Sequence, residues 1–156
     1  MQDPEAVLYE DQFAAGAALS ERLERFRGTD AVVIGVSGAG VLCAVEVAHR
    51  LDLPFDVVAI APVTWRADRE SRIGTVADGG VRIMHDEWVH AHKFTEHDLD
   101  DDFGVAERSL ESRVIAAVGH REPLALSGRT AIVVDHGVRS GESALAALRS
   151  VRHREP

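Results

Sequence analysis

The stretch Ala131-Ile-Val-Val-Asp-His-Gly-Val-Arg-Ser-Gly-Glu-Ser143 decides the fold, because it passes from an apolar run through a polar loop into a helical pattern. The run predicts a buried strand, and Ala144 to Arg152 predict the helix that follows it. The first N–H groups of a helix have no partner inside the helix, and the helix dipole is positive there. The stretch therefore predicts an anion-binding loop between a strand and a helix.

Side chains of this loop add to the expectation of a ligand site. Ser140 and Ser143 carry hydroxyl donors, and Gly141 between them lets a ligand approach the backbone closely. Asp135 follows the strand, at the edge where open α/β sheets place ligand-binding residues. An ordinary polar turn is the alternative interpretation of the same residues.

Outward from this stretch, hydrophobic patterns predict strands that alternate with helices. The helices are predicted over Gln12 to Phe26, Val41 to Leu51, Glu87 to His92, Thr95 to Val118 and Ala144 to Arg152. The strands are predicted over Ala31 to Val36, Phe55 to Ala61 and the residues before Asp135, with a polar loop from Pro62 to Arg72 and a hairpin from Ile73 to Met84 around Asp78-Gly-Gly80. This order predicts an α/β fold, a doubly wound, mostly parallel sheet flanked by helices with an inserted β-hairpin.

Length and composition restrict the function classes. A chain of 156 residues predicts a single domain over 1–156, with its core at about 13–152. The net charge of −9 argues against binding to nucleic acid or to an anionic membrane surface, and no apolar run is long enough to span a bilayer. Met1 to Glu10 lack a secretory signal pattern, and the single cysteine, Cys43, fits a reducing compartment, so we expect a cytoplasmic protein.

A second glycine-rich loop, Gly35-Val-Ser-Gly-Ala-Gly40, also lies between a predicted strand and a predicted helix. It predicts another anion-binding loop, although the glycine order does not fit a dinucleotide fingerprint. Ser37 within it is also similar to the nucleophile of a small α/β hydrolase, with Asp135 and either His120 or His136 as partners. That hydrolase is a remote alternative.

Two further groups of side chains have a candidate role. Arg66, Arg69 and Arg72 lie beside Trp65 in the predicted loop, where guanidinium groups could clamp a phosphate. Four histidines, together with Asp86 and Glu87, form a cluster whose spacing does not place ligands on one helix face, so we predict no metal site there and leave a structural zinc as the alternative. These histidines are His85, His90, His92 and His97.

With both glycine-rich loops and the hairpin in order, the chain resembles the type I phosphoribosyltransferase family, in particular a branch of small bacterial members. The resemblance runs from about Phe13 to Arg152. The family motif is an apolar strand, two acids, three variable residues and Thr-Gly-x-Thr. Here Asp135 matches the first acid, and Ser140-Gly141-Glu142-Ser143 match the phosphate loop with serines in place of threonines.

The chain also departs from the family pattern. His136 replaces the second acid, and Glu142 brings a carboxylate into the phosphate loop. The family's pyrophosphate loop falls on Ser37-Gly38-Ala39-Gly40, which lacks the arginine of the similar branch. The basic pair expected after the next strand is Ala61-Pro62.

The resemblance implies a protein that binds a ribose 5-phosphate group, in phosphoribosyl pyrophosphate (PRPP) or a nucleotide, and transfers phosphoribosyl to an acceptor. It implies Asp135 and His136 as catalytic residues and Mg²⁺ as cofactor if PRPP is used. The ribose and phosphate contacts would come from Asp135, Arg139, Ser140, Gly141, Glu142 and Ser143. Arg66 or Arg69 would clamp pyrophosphate, and the chain would form a homodimer. The alternative is a catalytically degraded, nucleotide-binding module that regulates or supports a partner, so whether the protein is an enzyme stays open.

Overall fold

The computed structural model describes residues 9–119, 122–138 and 141–156, which form two compact units. The first unit comprises residues 9–57 and Gly128–Gly137, and the second comprises Val58–Ser127 and Val138–Pro156. The helices are α1 (Gln12–Arg22), α2 (Ala39–Leu51), α3 (Asp86–His92), α4 (Glu96–Val118) and α5 (Glu142–Arg152), with a short 3-10 turn at Glu24–Phe26. The strands are β1 (Val32–Val36), β2 (Phe55–Val58), β3 (Ile60–Trp65), β4 (Asp68–Ala77), β5 (Val81–Met84) and β6 (Ala131–Val134).

The first unit is built on a sheet with the strand order β2-β1-β6. β1 and β6 run parallel, with Val32 opposite Ala131 and Gly35 opposite Val134. Every residue of β1 is buried, as its continuous apolar run predicts for a central strand. α2 packs on this sheet through Cys43, Ala44, Val47, Ala48 and Leu51.

α1 lies against α2 at a point where both backbones come close. A Cβ atom on Gly16 would stand 2.7 Å from the carbonyl oxygen of Cys43 and 2.8 Å from the Cβ of Glu46. Only glycine permits this separation without a shift of one helix. The N-terminus of α1 is capped by Asp11, whose carboxylate accepts a hydrogen bond from the N–H of Ala14.

The second unit contains an antiparallel sheet in the order β3-β4-β5. α4 covers one part of this sheet through Leu99, Phe103 and Leu110, which pack with Val63 and Ile73. α5 packs through Ala146 against Ala77, Val81 and Ile83. The β4–β5 turn uses Gly79 and Gly80, both with positive φ, as the Asp-Gly-Gly signal predicts.

The predicted polar loop from Pro62 to Arg72 is wrong. Most of these residues belong to β3 and β4, and only Arg66 and Ala67 form the turn between the strands. Ala61 and Val63 are buried while Pro62 and Thr64 are exposed, so β3 has one polar face, and the first residues of β4 are exposed. The predicted strand from Phe55 to Ala61 is likewise divided between β2 and β3 at Ala59.

The predicted fold class is confirmed as α/β, with a parallel sheet accompanied by helices. The hairpin from Ile73 to Met84 is also present, and β3 extends it to a three-stranded sheet. The expectation of a single domain stays a prediction. Across the residues that the structure describes, no helix is both long enough and apolar enough to span a lipid bilayer.

Candidate functional site

The carboxyl edge of the parallel sheet brings two of the predicted site segments together in the first unit. Ser37 follows β1 and Asp135 follows β6, and these strands are parallel neighbours. Gly40, in the first turn of α2, lies so close that a Cβ there would stand 3.1 Å from the Cα of Asp135 and 3.3 Å from its Oδ1. The first turn of α2 is therefore packed directly against Asp135.

Asp135 and His136 form a hydrogen-bonded pair. Oδ1 of Asp135 accepts the backbone N–H of His136 at 2.7 Å and lies 3.0 Å from Nδ1 of its imidazole ring. The Asp135 side chain is 14% exposed and that of His136 is 56% exposed. With the proton on Nδ1, the carboxylate orients the ring and leaves Nε2 as an acceptor, the arrangement of a general base held by an acid.

This pair lines a cleft of about 680 Å³, a volume typical of small-molecule sites. Its lining combines apolar side chains with charged and amide groups. The lining residues include Gln12, Ala15, Ala18, Leu19 and Arg22 of α1, Cys43 of α2, and Asp135, His136 and Gly137. Burial raises the pKa of the Cys43 thiol, so Cys43 contributes to the cleft as a neutral, apolar group.

The predicted pyrophosphate loop, Ser37 to Gly40, leads into α2 and ends in its first turn. Gly38 precedes the helix with a φ of 100°, a conformation that favours glycine, and it has no side chain with which to cap the helix. Helix N-termini of this kind attract anions. The structure therefore brings Gly40 and Asp135 together and places Ser37 at the same sheet edge.

The second half of the predicted phosphate loop belongs to the second unit, where Gly141 precedes α5 and Glu142 and Ser143 are its first residues. Gly141 has a φ of 84° and precedes the helix, and its carbonyl accepts the N–H of Leu145 at 2.8 Å. Nε2 of His85 is hydrogen-bonded to Oε2 of Glu142. Arg139 and Ser140 of the predicted site lie outside the described residues, as does His120 of the hydrolase alternative.

The arginines predicted to clamp a phosphate do not lie in a loop of their own. Arg66 stands in the β3–β4 turn, where its guanidinium donates to Asp101 at 2.9 Å and lies 3.8 Å from Asp102. The hydrogen bond to Asp101 raises the pKa of Arg66. Arg69 is exposed in β4. Arg66 is thus already engaged by carboxylates.

The predicted histidine cluster is divided among different surroundings. His92 stacks on Trp88 with the ring centroids 4.2 Å apart, and His97 is 94% exposed. Among the described residues, no three histidine, cysteine or acidic side chains are gathered as metal ligands would be. His85 instead contacts Glu142 of the predicted phosphate loop.

Sequence reasoning missed the link between His85 and Glu142. The two residues are far apart in the chain, and His85 was grouped with its neighbours in sequence. The close approach of Gly40 to Asp135 was also missed, because the two residues belong to separate loops that are distant in sequence. A glycine directly before a predicted helix, in the loop next to a strand-end acid, is the signal that could have indicated it.

Two curated relatives are similar over most of the chain. "Putative phosphoribosyl transferase MT0597" and "Putative phosphoribosyl transferase Rv0571c", from two strains of Mycobacterium tuberculosis, are each 31% identical over 149 residues. The alignment covers 93% of this chain and 33% of each relative, so the chain spans about a third of the length of these relatives. No protein-family model matches the chain.

Two solved structures share the fold. TT1426 from Thermus thermophilus has 30% sequence identity and a TM-score of 0.72, covering 95% of this chain and 70% of that one. A purine phosphoribosyltransferase from Pyrococcus horikoshii has a TM-score of 0.50 at 17% identity, covering 92% of this chain and 65% of that one. The fold of the chain is therefore the one that phosphoribosyltransferases have. The chain belongs to the type I phosphoribosyltransferase-like family.

Proposed function

We propose that the chain binds a ribose 5-phosphate group, in PRPP or a nucleotide, through the segment from Asp135 to Ser143, and that it transfers phosphoribosyl to an acceptor. The observation that carries this proposal is Asp135 itself. Its carboxylate stands at the carboxyl end of β6, against the first turn of α2, and opens to the cleft. The names of the relatives support transfer over the hydrolase alternative through Ser37.

Each half of the segment contributes different chemistry. In the first unit, Asp135 accepts hydrogen bonds from the ribose hydroxyls. In the second unit, the start of α5 offers the N–H groups of its first turn and the Ser143 hydroxyl to the phosphate, with Arg139 and Ser140 completing the loop in sequence. The Ser37–Gly40 loop at the start of α2 takes the pyrophosphate through backbone N–H groups.

His136 supplies the general base of the proposed reaction. The bond from ribose C1 to the pyrophosphate oxygen breaks, and pyrophosphate leaves with the electron pair. A bond forms between C1 and a nitrogen of the acceptor, and the proton of that nitrogen passes to Nε2 of His136. The 680 Å³ cleft beside His136 is where we place the acceptor, because its mixture of apolar and polar lining residues suits a flat heterocycle.

Magnesium fits as part of the substrate. Mg²⁺ uses one or two protein carboxylates together with substrate phosphates and waters, and Asp135 is a partly exposed carboxylate in the right place on the sheet edge. When bound, the ion neutralises charge that develops on the pyrophosphate.

We also propose that the chain forms a homodimer, which light scattering at micromolar concentration tests. We propose a cytoplasmic location as well, which agrees with the free thiol of Cys43.

Calorimetric titration with PRPP, AMP and pyrophosphate, with and without Mg²⁺, tests the ligand class. We expect binding of ribose 5-phosphate compounds in the micromolar to millimolar range. Ser143→Asp should abolish that binding by like-charge repulsion, whereas Ser112→Asp on the exposed face of α4 should leave it unchanged. Absence of binding to every ribose phosphate at millimolar concentration would refute the proposal.

A binding module that has lost catalysis is the second candidate, and one observation favours it. The guanidinium of Arg66 is bonded to Asp101 and lies near Asp102, and Ser37–Gly40 holds no arginine. Preorganised donors to a leaving group are worth about 3 kcal/mol each in transition-state stabilisation. Turnover of PRPP by the wild type separates the two candidates. An enzyme turns over PRPP, and His136→Gln should abolish that turnover while affinity for AMP is kept. A module binds AMP and shows no PRPP turnover even in the wild type.

A further inference from the structure

α5 has one face that packs inside the second unit and one that faces water. On the inward face, Ala146 is buried against the hairpin of β4 and β5. The outward face carries Leu145, Leu148, Arg149 and Arg152, which are all exposed and spaced as one side of a helix requires. These four residues form the α5 stripe. Leu145 is 42% exposed and Leu148 is 52% exposed, so the stripe leaves an apolar pair uncovered.

One end of the α5 stripe borders a cleft of about 450 Å³. Ile83, Met84 and Leu145 supply the apolar part of its lining, and Glu87 is an exposed acid beside them. The remaining lining residues are Arg82, His85, Glu142 and Arg149. Leu148 lies one turn further along α5, outside the cleft. The same helix therefore carries a partly apolar cleft and, next to it, an exposed leucine that could fill such a cleft on another molecule.

The charges on and beside the stripe are not matched within the part of the chain that the structure describes. There, the guanidinium groups of Arg149 and Arg152 form no ion pair, and neither does the carboxylate of Glu87. Arg82 of the cleft is bonded instead to two carboxylates of α4. The C-terminal end of the stripe is thus basic, while its N-terminal end lies beside an acid that can accept a new partner.

Two copies of α5 that pack antiparallel about a two-fold axis cover the leucines and match the charges together. With the axis between Leu145 and Leu148, each Leu145 faces Leu148 of the other copy, because paired residue numbers in an antiparallel pair have a constant sum. Leu148 then enters the cleft beside Leu145 of the other copy. Arg152 reaches the first turn of that copy's α5, on the side where Glu87 lies. The contact is reciprocal, as an isologous interface requires.

Leu42 and Val45 form another exposed apolar pair, on α2 in the first unit. The charges beside this pair are already matched, because Nε of Arg50 donates to the carboxylate of Glu46 at 2.6 Å. Complementary charges fix the register and orientation of two surfaces. The α5 stripe has charges left for that purpose, so it suits a second copy better than the face of α2 does.

We propose that the α5 stripe is the interface of a homodimer in which two copies of α5 pack antiparallel, with Leu148 of each copy in the cleft beside Leu145 of the other. This inference rests on the homodimer proposed above and names the surface that forms it. Each copy contributes one helix face and one cleft, which is little for a protein interface. The dimer therefore forms at micromolar concentration or above.

Sedimentation velocity of the full chain, at concentrations from about 1 to about 200 µM, measures the dimer. Leu148→Glu should raise the dissociation constant at least about tenfold, because it places a charge in an apolar contact. Val105→Glu is the matched control, since Val105 is 59% exposed on α4 of the same unit, and this variant should dimerise as the wild type does. Leu42→Glu on α2 should also leave the dimer unchanged.

An exchange of charges between Arg152 and Glu87 tests the orientation of the two helices. Arg152→Glu and Glu87→Arg each bring like charges together and should weaken the dimer about three- to tenfold. The double variant restores opposite charges and should return to within about threefold of the wild type. Both positions are exposed, so these variants provide a test even if Leu148→Glu folds poorly. Circular dichroism of each variant checks that the measured proteins are folded.

The outcomes separate this interface from the homodimer itself. If the wild type stays monomeric over the whole concentration range, both are wrong. If it dimerises and Leu148→Glu dimerises equally well, or if a control variant loses the dimer to the same extent, the interface lies elsewhere and the homodimer stands. Losses that add in the charge-exchange variant contradict the antiparallel arrangement. Loss of the dimer in Leu148→Glu alone, with recovery in the charge-exchange variant, supports the interface. Binding of ribose 5-phosphate is measured separately, so the ligand assignment does not depend on these results.

Discussion

Asp135 can lie directly against α2 because the residue of α2 that faces it, Gly40, has no side chain. A Cβ atom added to Gly40 would stand 3.1 Å from the Cα of Asp135 and 3.2 Å from the carbonyl oxygen of Val134. Both are backbone atoms at the end of β6, which is paired along its length with β1. Neither can move by a simple side-chain rotation.

Gly40→Ala should therefore lower both stability and affinity for ribose 5-phosphate. Alanine gains about 1 kcal/mol of helix propensity over glycine, but overpacking against backbone costs about 1–3 kcal/mol. We expect a net destabilisation of about 1 kcal/mol in urea unfolding and a severalfold weaker affinity in calorimetry. The control is Gly104→Ala in α4, where the Cβ would meet only the end of the Arg108 side chain at 3.4 Å. That variant should be as stable as the wild type or more stable, and a similar loss in both variants would contradict the argument.

Arg82 of β5 connects this strand to α4 through hydrogen bonds to two carboxylates. Glu107 accepts two hydrogen bonds from Arg82, and a third partner is Asp100. The guanidinium of Arg82 also lies 5.3 Å from the centroid of the Phe103 ring. The hydrogen bond from Arg82 holds the pKa of Glu107 below its usual range.

A depressed pKa in the folded state means that the pair stabilises the protein when Glu107 is ionised. This contribution is fully present above the unfolded pKa of about 4.3 and is lost as pH falls through the lower folded pKa. Glu107→Gln should cost about 1 kcal/mol at pH 7, a value reduced by the partial exposure of both side chains. The difference from wild type should shrink steadily in urea unfolding below about pH 4.

Glu111→Gln, one turn further along α4 and exposed, is the matched control. It should change stability little at either pH. A difference between wild type and Glu107→Gln that is independent of pH would show that the cost arises from packing and not from the charge of Glu107.

The elements differ in how far the sequence predicts them. β1, α2 and β6 followed by its loop were predictable, because continuous apolar runs and helical periodicity dominate there. β3 and the first part of β4 were not, since their exposed faces carry Pro62, Thr64 and a run of charges that read as a loop. Pairing with β4 overrides that local composition.

The candidate site divides in the same way. Asp135 and the start of α5 follow from local sequence, because a strand end and a helix start are local features. The contact of His85 with Glu142 depends on how α5 packs beside β4 and β5, which no local pattern contains. The roles proposed for Ser37 to Gly40 and for Ser143 stay predictions.

For the whole molecule, the chain path predicts cooperative unfolding. The polypeptide passes from one unit to the other three times, after Val57, Ser127 and Gly137. Neither unit is a continuous piece of sequence, so we expect the two units to unfold together. We expect one transition in urea, with the same midpoint by far-UV circular dichroism and by a local probe in each unit. Two separated midpoints would contradict the single-domain prediction.

The aromatic side chains provide those local probes. Both tryptophans of the chain, Trp65 and Trp88, lie in the second unit with their ring centroids 5.5 Å apart, in contact with Phe94 and His92. The single tyrosine, Tyr9, lines the cleft in the first unit and is 47% exposed. Tryptophan emission therefore reports on the second unit alone, and the NMR signals of the Tyr9 ring report on the first. A ligand that enters the cleft beside Asp135 should shift those tyrosine signals.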